Sequence, residues 1–354
     1  MSAARRSVAG LVAAGLAAAV IASADAQAPI QLSPSAPAAK PAAKPAPRRP
    51  APAAETAPAA PAAAPAPAAA RHEPDLAYGA FQRGFYLTAF GIATRRVEEK
   101  GDVKAMTLLG ELYAHGLGVG RDDKKATDWY RLAAERGDRE AMFALAVFHL
   151  TGRAGAVNRE QAAKLFATAA KLGSISAAYD LGLLYLEGQM FPQDFKRAAE
   201  LFRSAAQAGN PEAQYVLATL YKDGRGVTKD VNEAARLLAA AAAAHNVDAE
   251  VEYAIALFNG SGVAKNETAA AALLKRAARK GSPVAQNRLA NILAIGRGLQ
   301  ADPVEAIKWH IVAKAGGVSD LPLDAFVQKQ PADVRAAGQK AAQPWLDVIK
   351  ASRS

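Results

Sequence analysis

The chain repeats itself every 36 residues between residues 101 and 317. Six units follow one another without an insertion or a deletion. Their opening residues are Gly101, Gly137, Gly173, Gly209, His245 and Gly281. A period of this length is typical of helical hairpins that cannot bury their apolar faces alone and therefore stack on one another. We therefore expect an all-α fold: a right-handed α/α superhelical solenoid of six helix-turn-helix repeats, with helical caps at both ends.

Each unit carries two signals for the start of a helix. The position after the opening residue always holds a side chain that can accept hydrogen bonds from the first turn of a helix. These residues are Asp102, Asp138, Ser174, Asn210, Asn246 and Ser282. A second set stands later in each unit, at Asp122, Asn158, Asp194, Asp230, Asn266 and Asp302. Three of the second set precede Gln161, Glu233 or Glu305 by three residues, which predicts a capping box.

Glycine punctuates the turn between the two helices. The first helix ends at a glycine in every unit, as a left-handed C-terminal cap requires. These glycines are Gly116, Gly152, Gly188, Gly224, Gly260 and Gly296. A second glycine follows in four units, but Ala154 and Met190 replace it in the second and third, so we expect those two turns to differ. At His245, where the opening glycine is missing, we expect Asn246 to adopt the positive φ.

Apolar side chains recur at helical spacing on both helices. On the first helix, alanine recurs in the column of Ala105, and a large residue recurs four positions later in the column of Leu109. On the second helix, the column of Ala126 is small and the column of Trp129 is large. Residues spaced by three or four lie on one side of a helix. These columns are therefore the expected core.

The first unit follows the pattern A-x-x-L-G-x-x-Y-x-x-G-x-G-V-x-x-D-x-x-K-A-x-x-W-x-x-x-A-A almost throughout. The matching residues are Ala105, Leu109, Gly110, Tyr113, Gly116, Gly118, Val119, Asp122, Ala126, Trp129, Ala133 and Ala134. This pattern resembles the Sel-one-like repeat family, which is related to tetratricopeptide repeats. The resemblance covers residues 101 to 317. It implies a binding scaffold or regulatory adaptor whose first helices line a concave surface that holds a segment of a partner.

Residues 1–26 have the three parts of a secretory signal. Arg5 and Arg6 precede an apolar stretch of residues 8–21, and small residues stand at Ala24 and Ala26. The chain contains no cysteine, so we do not expect a lipoprotein. The sequence therefore predicts a periplasmic or secreted protein with no stable membrane span once the signal is cleaved.

A proline- and alanine-rich segment, residues 27–75, follows the signal. It holds 13 of the chain's 20 prolines together with five basic residues, so it cannot bury a core, and we expect a disordered linker. The basic residues are Lys40, Lys44, Arg48, Arg49 and Arg71. Their charge suits contact with an anionic envelope surface. Residues 76–100 are expected to form N-terminal capping helices, and residues 318–354 a C-terminal capping helix.

The sequence favours binding over catalysis. It shows no phosphate loop, zinc-protease motif or nucleophile elbow, and its five histidines lack metal-ligand spacing, so we expect no enzyme, no cofactor and no metal. A hydrolase is the weakest alternative. The net charge is +10 for the whole chain but only +7 for residues 76–354, where both signs are mixed, which argues against nucleic acid as the partner.

One apolar stripe on the first helix lies opposite the expected core columns. Its members are found six or thirteen residues after the opening residue of a unit. The candidate partner-binding residues are Phe143, Tyr179, Tyr215, Leu150, Leu186 and Phe258. The expected partner is a protein of the bacterial cell envelope, with peptidoglycan or another envelope glycan as the alternative. A competing interpretation is that the stripe packs between the first helices of neighbouring repeats.

Overall fold

The computed structural model describes residues 75–188 and 191–352 of the chain. Within these residues sixteen helices are present and no strand. The helices are α1 Leu76–Gln82, α2 Tyr86–Lys100, α3 Val103–His115, α4 Asp123–Glu135, α5 Arg139–Thr151, α6 Arg159–Lys171, α7 Ile175–Glu187, α8 Phe195–Gln207, α9 Pro211–Asp223, α10 Val231–Ala243, α11 Val247–Asn259, α12 Glu267–Arg279, α13 Pro283–Ile295, α14 Pro303–Ala315, α15 Leu321–Lys329 and α16 Ala332–Ala351.

Helices α3 to α14 form the six predicted hairpins, and each of them is 13 residues long. Each helix from α3 to α13 packs against the helix before it and the helix after it in the chain. Consecutive hairpins therefore bury their apolar faces against one another, as stacked repeats must. The predicted all-α superhelical solenoid is confirmed.

All twelve predicted cap residues accept a hydrogen bond from a backbone N–H in the first turn of their helix. The N–H of Ala141, for example, donates to Oδ1 of Asp138 at 2.7 Å. The reciprocal half of the predicted capping box is wrong. The N–H of Asp230 donates instead to the carbonyl of Tyr221 in the first helix at 3.0 Å. This leaves Glu233 to pair with Arg236.

The turn glycines have two separate roles. Those that end the first helices take left-handed φ values between 66° and 75°. The second glycine is required by contact with the preceding repeat: a Cβ on Gly226 would overlap the carbonyl of Phe195 at the start of α8. The turn with Ala154 differs as expected, because Gly155 there takes a φ of 116°.

The expectation for the missing glycine at the fifth repeat is wrong. His245 itself takes the positive φ, at 67°, and Asn246 has φ −66°. The reason is that Asn246 caps α11, and a cap residue needs an extended backbone for its side chain to reach the N–H of Ala249.

The alanine columns are buried as predicted, but the second helix is rotated by one position from the expectation. In the first three repeats the bulky side chains at its centre are Tyr130, Phe166 and Phe202, each no more than 1% exposed. Of the predicted large residues, Trp129, Leu165, Leu201 and Leu273 are partly exposed, whereas Leu237 and Trp309 are buried as predicted. The aromatic rings thus point into the hairpin between the two helices.

Additional helices flank the repeats. Helices α1 and α2 lie before the first repeat and pack on α3. After the last repeat the structure has two helices, α15 and α16, where the sequence suggested one. The longer helix, α16, packs on α14 and places the Trp345 ring 4.9 Å from the Trp309 ring. The predicted signal lies outside the described residues, as does the predicted linker up to residue 74.

Candidate functional site

A cavity of about 780 Å³ opens along the first helices of the first three repeats. From α3 it is lined by Lys104, Leu108, Glu111 and His115, and from α5 by Glu140, Ala144 and Val147. Ser176 of α7 and Tyr78 and Phe81 of α1 extend the lining in both directions. The cavity therefore crosses repeat boundaries, which a pocket inside one hairpin would not do.

Lys104, Leu108, Glu111 and His115 stand 3, 7, 10 and 14 positions after the opening residue Gly101; Ala105 and Thr107 of α3 also line the cavity. Such spacings place side chains on one side of a helix. The first helices of all six repeats begin and end at equivalent positions, so the same four positions face the same side throughout. We call these positions the cleft face.

The cleft face is acidic in the middle of the solenoid. In the second to fifth repeats it carries seven carboxylates and neither lysine nor arginine, although the whole chain has a net charge of +10. The carboxylates are Glu140, Asp180, Glu187, Glu212, Asp223, Asp248 and Glu252. Because like charges are concentrated on one surface, the cleft face attracts cations and repels anions.

Three bases flank the cleft face in these repeats, and each is already paired. Arg153, which lines the cavity, lies 2.5 Å from the carboxylate of Asp123. The guanidinium of Arg139 lies 3.3 Å from Glu140, and the ammonium of Lys222 lies 3.1 Å from Glu252. The other five carboxylates make no ion pair with any residue in the described part of the chain. Most of the negative charge is thus not neutralised by the protein.

The environment of three of these carboxylates opposes their ionisation. Burial raises the pKa of Asp180 to about 7. Burial also raises the pKa values of Glu187 and Asp248. The pKa of the Tyr179 hydroxyl is raised by burial first and then by the charges of Asp180 and Glu212. A positive group brought to this surface would stabilise the ionised carboxylates.

Three of the six predicted binding residues are packing residues in the structure. Tyr179 is 8% exposed, Leu186 4% and Phe258 1%. The Tyr179 ring lies 5.8 Å from the ring of Phe202. The first helix also packs against the second helix of the preceding repeat, so part of the side opposite its own partner is covered as well.

Phe143, Leu150 and Tyr215 are partly exposed. Phe143 lines the cavity while its ring packs against Phe166 at 5.7 Å. The apolar stripe therefore borders the cleft face. Sequence reasoning missed the acidic residues because they stand between the stripe and the core columns. Counting charges at each repeat position would have revealed them.

Within residues 75–188 and 191–352, no group of three histidine, aspartate or glutamate side chains is arranged to hold a metal ion. His310 is buried and bonds through Nε2 to Asp324 at 2.8 Å. No helix in the same residues has the length and apolar character needed to cross a bilayer.

A comparison with protein families matches the Sel1 repeat to six consecutive segments. The segments are 103–138, 139–174, 175–210, 211–246, 247–282 and 283–318. Together they cover more than half of the chain. The chain belongs to the Sel1 repeat family. Proteins with Sel1 repeats, the Sel-one-like family of the sequence pattern, generally act as protein–protein interaction scaffolds.

Two solved structures resemble this Sel1 repeat protein. A Sel1 repeat protein from Oxalobacter formigenes is 26% identical with a TM-score of 0.58, and the match covers 69% of this chain and 97% of that one. A protective antigen of uropathogenic Escherichia coli with an SLR fold is 26% identical with a TM-score of 0.53; the match covers 74% of this chain. The chain spans 64% of the antigen's length. No curated protein matches the chain.

Proposed function

We propose that this Sel1 repeat protein is an exported scaffold or regulatory adaptor of the bacterial cell envelope, which binds an extended segment of a partner protein along its cleft face. The proposal involves recognition and no catalytic step. Its envelope location rests on the signal-like sequence of residues 1–26. Its mode of binding rests on the arrangement of the first helices.

The observation that carries the proposal is the cavity that crosses three successive first helices. A partner segment lying there would contact several repeats at once, which is how solenoids recognise extended chains. Partly exposed apolar groups such as Phe143 line this cavity. Unpaired carboxylates such as Glu212 lie on the cleft face of the following repeats, beyond the cavity. The cavity and the cleft face together therefore offer both apolar contact and charge selectivity.

Site-specific photo-crosslinking in the native bacterium tests the proposal. A photoreactive amino acid replaces the exposed Ser176, which lines the cavity. The matched control places it at Thr168, which is exposed on the second helix α6. We expect one protein to crosslink at Ser176 and not at Thr168, and to be recovered in the envelope fraction. Equal products at both positions, or recovery only from the cytoplasm, would contradict the proposal.

Peptidoglycan is the alternative partner, and the charge of the cleft face disfavours it. The peptide stems of peptidoglycan carry carboxylates, which an acidic surface repels. Cosedimentation of the full chain with purified sacculi separates the two cases. We expect no pelleting that depends on the cleft face. Pelleting abolished by neutralising Glu212 and Asp248 would favour the glycan over the protein partner.

A further inference from the structure

We propose that the basic segment of residues 40–49 docks on the acidic cleft face of its own chain and occupies the partner site. The regulatory meaning of this contact rests on the proposed function, because an occupied cleft must be vacated before a partner segment binds. The contact itself follows from two observations that are independent of any partner. One is where the chain enters the solenoid, and the other is charge.

The chain enters the solenoid at the edge of the cleft. Asp75, the first described residue, lines the cavity together with Tyr78 and Phe81. From Asp75 back to Arg49 there are 26 residues. At about 3.1 Å per residue for a proline-rich chain, these can reach about 80 Å. Adjacent packed helices lie about 8–10 Å apart. The tether is therefore long enough for the segment to reach every repeat that carries the acidic face.

The charges of the segment and the cleft face are complementary. Residues 40–49 contain Lys40, Lys44, Arg48 and Arg49 and no acidic residue. The cleft face of the second to fifth repeats carries seven carboxylates, five of them without an ion pair among the described residues. Bringing lysine and arginine to these groups satisfies charges that the folded chain leaves unpaired.

The composition of the segment favours an extended bound form. Pro41, Pro45 and Pro47 each fix φ near −65°, so less backbone entropy is lost when the segment is held extended. In polyproline geometry, Lys40 and Lys44 stand about 12 Å apart, close to the distance between neighbouring packed helices. Consecutive basic groups can therefore meet carboxylates of consecutive repeats.

The tether makes a weak contact effective. Two groups joined by a flexible linker meet at an effective concentration in the millimolar range, so the segment competes with a partner that is dilute. Because the contact is electrostatic and near solvent, added salt should weaken it. A partner that binds more tightly than the segment would displace it.

Distance measurement by electron paramagnetic resonance tests the proposal on the full chain. The chain has no cysteine, so Ala43→Cys and Ser176→Cys provide the two positions for nitroxide labels. We expect a short-distance population at low salt. That population should be lost in a cleft variant with Asp180→Asn, Glu212→Gln and Asp248→Asn.

The matched control neutralises three exposed carboxylates on second helices, away from the cleft face. It carries Asp128→Asn, Glu160→Gln and Glu200→Gln, which change the net charge equally. We expect the control to keep the short-distance population. Circular dichroism melting of each variant establishes that the repeats remain folded.

Three results would overturn the inference: no short-distance population in the unmodified sequence, equal loss in cleft and control variants, or short distances that vanish on dilution with unlabelled chain. The last would show that the segment docks on a second copy. Capture of a partner at Ser176 without any short-distance population would overturn this inference and leave the proposed function intact. Docking of the segment without partner capture would support this inference and contradict the proposed function.

Discussion

Gly182 and Phe202 form a size-matched pair inside the third repeat. A Cβ added to Gly182 would lie 2.8 Å from the Phe202 ring, which is fully buried and has no room to move away. The equivalent residues in the fourth repeat are Ala218 and Leu238, both buried. There the first helix has a larger residue than Gly182, and the second helix has a smaller residue than Phe202. We predict that Gly182→Ala and Phe202→Leu are each destabilising but compensate one another.

The magnitudes follow from opposing effects. Forcing a methyl group into a packed core costs about 1–3 kcal/mol, whereas alanine in place of glycine favours a helix by about 1 kcal/mol. Gly182→Ala should therefore lower the free energy of unfolding by about 1 kcal/mol. Phe202→Leu leaves unfilled space beside Gly182 and should cost about 1–2 kcal/mol. In the double variant the methyl group fills that space, and the unfolding free energy should lie within about 0.5 kcal/mol of the unsubstituted chain.

Equilibrium urea unfolding followed by circular dichroism measures all four proteins. Gly91→Ala is the control, because nothing lies within 4 Å of a Cβ at this position of α2. It should raise the unfolding free energy by about 0.5–1 kcal/mol through helix propensity alone. If the two core substitutions are additive to within about 0.5 kcal/mol, the assigned contact between Gly182 and Phe202 does not exist and the reasoning fails.

Three further substitutions address single positions. Asp180→Asn should raise the free energy of unfolding above pH 7 by up to about 4 kcal/mol. The folded pKa of about 7 against an ordinary 3.8 means that stability is lost as pH rises from about 4 to 7, at about 1.4 kcal/mol for each pKa unit. His245→Gly should raise the melting temperature, since it removes about 1 kcal/mol of strain at φ 67°. Gly226→Ala should cost about 3 kcal/mol in urea unfolding because its Cβ would overlap the carbonyl of Phe195, whereas Gly209→Ala, with open space, should cost about 1 kcal/mol.

Each of these predictions has an outcome that would contradict it. For Asp180→Asn, the contradicting outcome is a free energy of unfolding that depends on pH in the same way in the variant and in the unsubstituted chain. For His245 it is an unchanged or lower melting temperature, which would place the strain elsewhere. For Gly226 it is a cost equal to that at Gly209, which would mean that positive φ alone, and not contact with the preceding repeat, requires the glycine.

Short-range features were predictable because their causes lie within a few residues. Asp138 caps α5 through the N–H only three residues later, and Gly152 ends the same helix because it reaches a left-handed conformation without a Cβ clash. Where the prediction went beyond such contacts it was less accurate. The N–H of Asp230 has a carbonyl partner nine residues earlier, in the other helix of the hairpin, and no local pattern indicates that bond.

The sequence by itself determined the number of repeats, the bounds of their helices and the alanine columns that are buried within a hairpin, since a period of 3.6 marks the side on which two helices meet. Only the tertiary structure decided how much of the opposite side remains free. Each first helix also contacts the neighbouring hairpin, and that contact depends on how closely successive repeats stack. Stacking buried Tyr179 and Phe258 and left Glu140 and Glu212 open to solvent, so the exposed surface of the first helices is acidic rather than aromatic.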